Sequence, residues 1–451
     1  MPSLKKFEPT TLSILGFAGA VVVGAALLML PISSTKDGLK LVDALFTATS
    51  AICVTGLVVV DTGKDLTLFG QLVVLTLIQA GGLGIMTLST AILLMARRRP
   101  SLTGFKIVQD TFTHSGDRSL SSLLIDVILF TVIIEGAGCI LLFVRFLPGT
   151  SMIDALYRAV FHGVSAFCNA GFSTFSNGLM GFRGDWMVNL VVCTLIVSGG
   201  IGFLVLTELK RNFPFNRQTW SRLSLHSKLV IFTTAVLIFG GAASILTMEW
   251  RNTLAPLSLP ERLLASLFQS VTARTAGFNT LPIEQMANET LYLLIILMFI
   301  GASPGSCGGG IKTGTFMTLV ILSVSRLWGH HRPWIFHRSI SQEAVGKAVS
   351  VVLLSFAVVV VATMLLLTVQ LGGAPHAETK GSFLALLFEV VSAFGTVGLS
   401  MGATSHLTAW AKFVITLVMF VGRLGPLVIG VAVSRKSAAA YYYAEENIMV
   451  G

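Results

Sequence analysis

One short pattern occurs four times in this chain and limits every fold the rest can adopt. Its copies read Val54-Thr55-Gly56-Leu57-Val58, Asn169-Ala170-Gly171-Phe172-Ser173, Thr275-Ala276-Gly277-Phe278-Asn279 and Thr396-Val397-Gly398-Leu399-Ser400. The glycines stand 115, 106 and 121 residues apart. Ahead of each copy lies an apolar segment too short to cross a bilayer: Asp43–Cys53, Asp154–Cys168, Pro260–Ala273 and Ser382–Phe394. An apolar half-helix followed by a glycine strip predicts a chain that enters the membrane and turns back.

Composition fixes the solvent. Of 451 residues, 54% are hydrophobic and 12% charged, against about 25% charged in soluble domains. Apolar runs near the ~20 residues needed to span a bilayer recur along the chain. The reading is an all-α integral membrane protein. The net charge of +10 sits between apolar runs, so it reads as cytoplasmic anchoring and not as a nucleic-acid surface. Cys53, Cys139, Cys168, Cys193 and Cys307 lie in or beside apolar segments without metal-ligand spacing and read as small buried side chains.

Around each strip the same order predicts span, half-helix, strip, span. Residues 1–100 form a first repeat with spans at 11–30 and 68–95, the first a retained transmembrane helix despite Lys5 and Lys6 ahead of it. Residues 101–215 form a second repeat with spans at 120–147 and 186–206. Residues 216–340 form a third with spans at 229–248 and 290–324, the latter interrupted by Pro304-Gly305-Ser306-Cys307-Gly308-Gly309-Gly310. Residues 341–436 form a fourth with spans at 345–371 and 410–433, and 437–451 form a cytoplasmic tail. The expectation is eight transmembrane helices with four re-entrant pore loops around one pseudo-fourfold pore. Only the third strip is followed by a visibly broken span. Gly81-Gly82-Leu83-Gly84 and Gly199-Gly200-Ile201-Gly202 read as helix-packing features. Basic inter-repeat loops place both termini in the cytoplasm and open the strips outward.

Non-helical backbone at membrane depth survives only where protein buries it or a wet cavity meets it. Four such strips from one chain can surround one axis and offer carbonyl oxygens to a dehydrated cation. Each half-helix points its negative end inward, which favours a cation. The reading from the residues is therefore an ion pore.

The motifs Ser50-Ala-Ile-Cys-Val-Thr-Gly56, Ser165-Ala-Phe-Cys-Asn-Ala-Gly171, Ala273-Arg-Thr-Ala-Gly277 and Ser392-Ala-Phe-Gly-Thr-Val-Gly398 make the chain similar to the Trk, Ktr and plant HKT superfamily of K⁺ transporters. It most resembles the Ktr membrane subunits, which lack two N-terminal spans usual in Trk. The resemblance implies K⁺ uptake across a bacterial inner membrane through a filter of Val54, Thr55, Gly56, Asn169, Ala170, Gly171, Thr275, Ala276, Gly277, Thr396, Val397 and Gly398. Glycine at all four central positions implies K⁺ over Na⁺, with Na⁺ a possible activator. It also implies a homodimer in membrane lipid, and a cytoplasmic, nucleotide-binding regulatory ring of the KtrA type. No organic cofactor and no nucleic acid is expected. The run containing Gly305, Gly308, Gly309 and Gly310, with Lys312 at its end, corresponds to an intramembrane gate loop near 303–314. Arg423 is expected to face the pore beside that loop.

Arg274 is expected to pair with Glu261, Glu284 or the filter backbone, and Glu135, charged within a span, has no assigned role. A carrier coupling K⁺ to Na⁺ or H⁺ is the alternative within transport, disfavoured by the parallel fourfold repeat. An enzyme is disfavoured too. The histidines do not gather in one cavity, His162 standing alone in a half-helix, and no HExxH, GxSxG or P-loop pattern has a suitable context.

Overall fold

The computed structural model describes residues 9–36, 38–84, 120–214, 219–330 and 332–425. Helices α1 (Pro9–Leu28), α2 (Leu41–Ile52) and α3 (Leu68–Gly82) surround the first strip. Around the second are α4 (Leu120–Phe146), α5 (Met152–Phe167), α6 (Trp186–Gly200) and α7 (Phe203–Arg211). The third has α8 (Leu225–Met248), α9 (Leu259–Thr272), α10 (Asn288–Phe299) and α11 (Thr313–Leu327). A two-stranded hairpin, β1 (Trp334–Ile335) with β2 (Arg338–Ser339), precedes α12 (Gln342–Leu371), α13 (Ser382–Gly395) and α14 (Ala409–Leu424).

Length sorts these helices. Among the described residues α8, α12 and the Ile125–Phe146 part of α4 are long and apolar enough to cross a bilayer, and α6 with α7 makes a bent fourth. Large apolar side chains on their outer faces stay exposed, such as Val132, Phe239 and Phe356, as lipid-facing surfaces require. Helices α2, α5, α9 and α13 have 12, 16, 14 and 14 residues. At ~1.5 Å per residue they cannot span a ~30 Å hydrocarbon layer. They sit in the middle of the molecule instead.

Their packing is cyclic. Each short helix lies against its own long partner and against the post-strip helix of the preceding unit: α5 on α3, α9 on α6, α13 on α10, and α2 on α14. The last contact joins the two ends of the chain. There Lys412 Nζ on α14 lies 2.7 Å from Asp43 Oδ1 on α2. Polar caps start the helices cleanly: Thr67, Asp185, Ser224, Ser341 and Thr408 each accept an N–H from the first turn. Ser258 and Glu261 form a capping box on α9.

The post-strip helices pack unusually close to the short ones. A Cβ on Gly81, Gly199 or Gly422 would stand 1.9, 1.8 or 2.0 Å from the carbonyl oxygen of Ile52, Phe167 or Phe394. These glycines are the packing features expected of the Gly81 and Gly199 runs. Gly202 is not. Its φ of +96° lies where only glycine fits comfortably, and α6 and α7 meet there at 97°. The expected continuous span over 186–206 is therefore broken, and the third unit is not alone in having a break. In the first and fourth units helix is described only to Gly82 and Leu424. The expected ends at 95 and 433 and the tail lie outside the described residues.

The close approach at Gly422 predicts an overpacking penalty of about 1–3 kcal/mol for Gly422→Ala. Thermal unfolding in detergent should register a lower midpoint. An unchanged midpoint would mean that α14 does not seat against the end of α13 in this way.

Candidate functional site

Each short helix ends in a hydroxyl that ties down its own strip. Ser50 Oγ donates to Leu57 O at 2.7 Å, Ser165 Oγ to Phe172 O at 2.8 Å, and Thr272 Oγ1 to Phe278 O at 2.6 Å. Ser392 Oγ accepts from Gly398 N at 3.1 Å, and Ser50 Oγ from Gly56 N at the same distance. The large residue after each glycine, Leu57, Phe172, Phe278 or Leu399, is buried. It anchors the strip sideways while the glycine stays at the cavity.

Backbone geometry repeats with the same register. Val54, Asn169, Thr275 and Thr396, each two residues before a strip glycine, have φ of 50°, 58°, 71° and 50°. Three of these are β-branched, for which positive φ is a true outlier. Such conformations cost of order 1–3 kcal/mol each and persist only where the surroundings impose them. The strip glycines Gly56, Gly171, Gly277 and Gly398 have φ of 88°, 70°, 81° and 91°. A backbone alternating in handedness in this way can turn successive carbonyls to one side.

The four strips close a ring in chain order. A Cβ on Gly56 would meet Ala170 O at 2.3 Å, on Gly171 Ala276 O at 2.6 Å, on Gly277 Val397 O at 2.4 Å, and on Gly398 Thr55 O at 2.2 Å. Every filter residue expected from the sequence is thus brought to one place, and Thr55, Ala170, Ala276 and Val397 are buried in the ring wall. On one side a cavity of about 460 Å³ opens, lined by all four glycines together with Asp61 and Asp65. Two carboxylates at a mouth concentrate cations there.

The glycine-rich break lies against the other side of the same ring. A Cβ on Gly308 would meet Thr275 Oγ1 at 2.2 Å, and Gly309 N donates to Thr396 Oγ1 at 2.9 Å. The break is fastened to the second unit's kink through Ser303 N to Gly200 O, Phe203 N to Gly305 O and Cys307 N to Gly199 O, at 3.0, 3.0 and 3.1 Å. Lys312 Nζ donates to Gly308 O at 2.5 Å. The Arg423 guanidinium donates to Cys307 O in the break and to Gly81 O at the end of α3. Gly305, Gly308, Gly309, Gly310, Lys312 and Arg423 therefore form one assembly beneath the strips.

Two charged residues stand differently from expectation. Among the described residues no carboxylate lies within ion-pair distance of Arg274. Its guanidinium reaches only Thr234 Oγ1, at 3.5 Å, and its Nε meets no acceptor. Glu261 instead caps α9, where the backbone N–H and then the hydroxyl of Ser258 hold its carboxyl below the usual carboxylate range. Glu135 accepts from Gln79 Nε2 at 3.3 Å and Cys168 Sγ at 3.7 Å, joining α4 to α3 and α5. Residues missed in the sequence are the tethering hydroxyl of Thr272, and His162 and Glu389, which bond to the last residue of their strips.

The family described as TrkH, cation transport protein, matches residues 18–441. The Ktr system potassium uptake protein B of Bacillus subtilis is 38% identical over 448 residues, covering 99% of this chain and 97% of that protein. Its namesake from Vibrio alginolyticus is 35% identical over 440 residues, 97% of this chain and 94% of that one. The potassium/sodium uptake protein NtpJ of Enterococcus hirae is 35% identical over 454 residues, 99% and 98% of the two chains. The crystal structure of the potassium transporter TrkH from Vibrio parahaemolyticus matches in fold with a TM-score of 0.73 at 19% identity, over 96% of this chain and 86% of that one. The chain is a multi-pass membrane protein and a transporter, not an enzyme: it belongs to the TrkH family of cation transport proteins.

Proposed function

We propose that this chain is the membrane subunit of a potassium uptake system and that K⁺ crosses through the ring of four strips. The observation that carries the reading is the ring itself, in which each strip glycine lies against the carbonyl oxygen that precedes the next strip's glycine, in unbroken cyclic order. Carbonyl oxygens held this way replace the water shell of a cation, and neutral oxygens suit a large monovalent ion. The four units then supply eight spans and four re-entrant loops around one axis. The acidic mouth faces outward, and the basic loops with both termini face the cytoplasm. Relatives named for potassium and for potassium/sodium uptake support K⁺ as cargo and make Na⁺ the competitor to measure, both as cargo and as activator.

The break at 300–312 is the gate. It lies across the ring's inner face, and its glycines leave it without a helix of its own. Arg423 and Lys312 hold it closed through loop carbonyls, and charge-assisted bonds of this kind contribute about 1.5–3 kcal/mol each. Their positive charge also opposes a cation leaving the ring inward. The bonds to Gly199 and Gly200 link the loop to the α6–α7 kink, and α7 ends in Lys210 and Arg211. A cytoplasmic nucleotide-binding ring docking on that basic surface would move the loop through α7. The homodimer belongs to the same reading.

In liposomes loaded for K⁺, Rb⁺ and Na⁺ uptake, the purified protein should favour K⁺ and Rb⁺. Gly277→Ser should reduce the K⁺ to Na⁺ ratio by about tenfold, a difference of ~1.4 kcal/mol between ions. An unaltered ratio in a folded variant would contradict the filter. Deleting Gly308–Gly310 should raise K⁺ flux several-fold and make it less responsive to the regulatory subunit, and flux that stays low and regulated would exclude the loop as gate. Arg423→Ala should likewise raise the uptake rate. A rate and affinity equal to the parent would leave Arg423 a purely structural tie.

A further inference from the structure

Among the described residues the outer rim of the ring is braced by a short-helix side chain on two opposite sides. His162 and Glu389 occupy one register on α5 and α13, three residues before the tethering Ser165 and Ser392. Both are fully buried. Each reaches the last residue of its own strip, two beyond the glycine, a serine in both units. His162 Nε2 lies 2.9 Å from Ser173 Oγ, and Nδ1 lies 2.7 Å from Arg158 O. A carbonyl can only accept, so Nδ1 carries the proton and Nε2 accepts from the serine. Ser400 Oγ donates to Glu389 Oε1 at 2.5 Å, Met401 N to the same oxygen at 3.2 Å, and Thr404 Oγ1 to Oε2 at 2.5 Å.

The two serines are held alike from the other side. Phe175 N donates to Ser173 Oγ at 3.0 Å, and Gly402 N to Ser400 Oγ at 2.9 Å. Each hydroxyl therefore accepts from the backbone two residues on and spends its proton on the short helix. The arrangement is the same despite a histidine in one unit and a glutamate in the other.

The first and third units lack it. Thr47 and Gln269 hold the equivalent register, three residues before Ser50 and Thr272, and are as deeply buried. Neither the Thr47 hydroxyl nor the Gln269 amide has a hydrogen-bond partner among the described residues. Two beyond the glycine stand Val58, which has no polar group, and Asn279, whose Nδ2 turns to Leu281 O. In a ring closed in chain order, the second and fourth strips face each other across the axis.

We propose that the His162–Ser173 and Glu389–Ser400 bonds are paired positioning devices that hold the outer rim open along one diagonal and thereby set discrimination against Na⁺. The inference rests on the filter reading. A rim free to contract would close around the smaller ion, and the inner tethers at Ser165 and Ser392 stop short of the strips' last residue. The first and third strips have no such brace from their short helices: Ser50 and Thr272 tie them at the inner level, and the third strip's rim is met only by a backbone bond, Leu179 N to Asn279 O at 3.0 Å. His162 and Glu389 do not touch the ion. They act through the serines.

The test is the K⁺ to Na⁺ uptake ratio of purified full-length protein in liposomes. Ser173→Ala and Ser400→Ala should each lower the ratio about fivefold to tenfold, the scale of one hydrogen bond, and the double variant more than either. Ser400→Thr keeps the hydroxyl and should restore the ratio. Thr47→Val, at the same register without a brace, should leave it within about twofold, the error allowed for a site with no bond to lose. A lower unfolding midpoint with an unchanged ratio in the serine variants overturns the proposal, since a merely structural bond would behave so. If Gly277→Ser shifts the ratio and the serine variants do not, the braces fall and the filter stands. If none of them shifts it, both fall.

Discussion

A backbone N–H or C=O without a partner is expensive in hydrocarbon, and the four strips are where this chain meets that cost. Each strip leaves helical geometry at membrane depth, so something other than helix must satisfy and fix it. The short helices do this with the hydroxyls of Ser50, Ser165, Thr272 and Ser392. Gly81, Gly199 and Gly422 pack closely over the ends of three of those helices. In the proposed reading, the strip carbonyls left unpaired face the axis, where a dehydrated cation is their partner.

The same logic separates the two faces of the ring. On one face, the strips open to a cavity with Asp61 and Asp65. On the other, they are covered by a loop whose carbonyls accept from Lys312 and Arg423. A loop without a helix of its own depends on its neighbours, and this one leans on the strips, on α14 and on the α6–α7 kink. Movement of any of these reaches the ring through few intermediates. The second unit's kink matters for that reason: it connects the loop to the basic end of α7, at Lys210 and Arg211.

Much of this was legible in the sequence because it is written in residue types. A glycine followed by a large apolar residue, four times behind a short apolar run, is a local signal. So is the Pro304–Gly310 interruption, which no helix survives. The kink at Gly200–Gly202 was not legible, since Gly199-Gly200-Ile201-Gly202 spells close packing and chain reversal with the same letters, and only φ at Gly202 separates them. Arg274 invited a carboxylate partner because charge seeks charge, yet α9 uses Glu261 to cap its own first turn. The bonds of His162 and Glu389 were hidden because they join different residue types at one register. That register emerges only when the strips are superposed in space.

The central claim is that the ring of strip carbonyls holds the transported ion. Determining the structure of the protein in Rb⁺ or Tl⁺ and locating these heavy K⁺ analogues by their scattering tests this directly. The account predicts density on the axis inside the ring, level with the carbonyls of Thr55, Ala170, Ala276 and Val397. A vacant ring with the ions bound elsewhere in the molecule would contradict it.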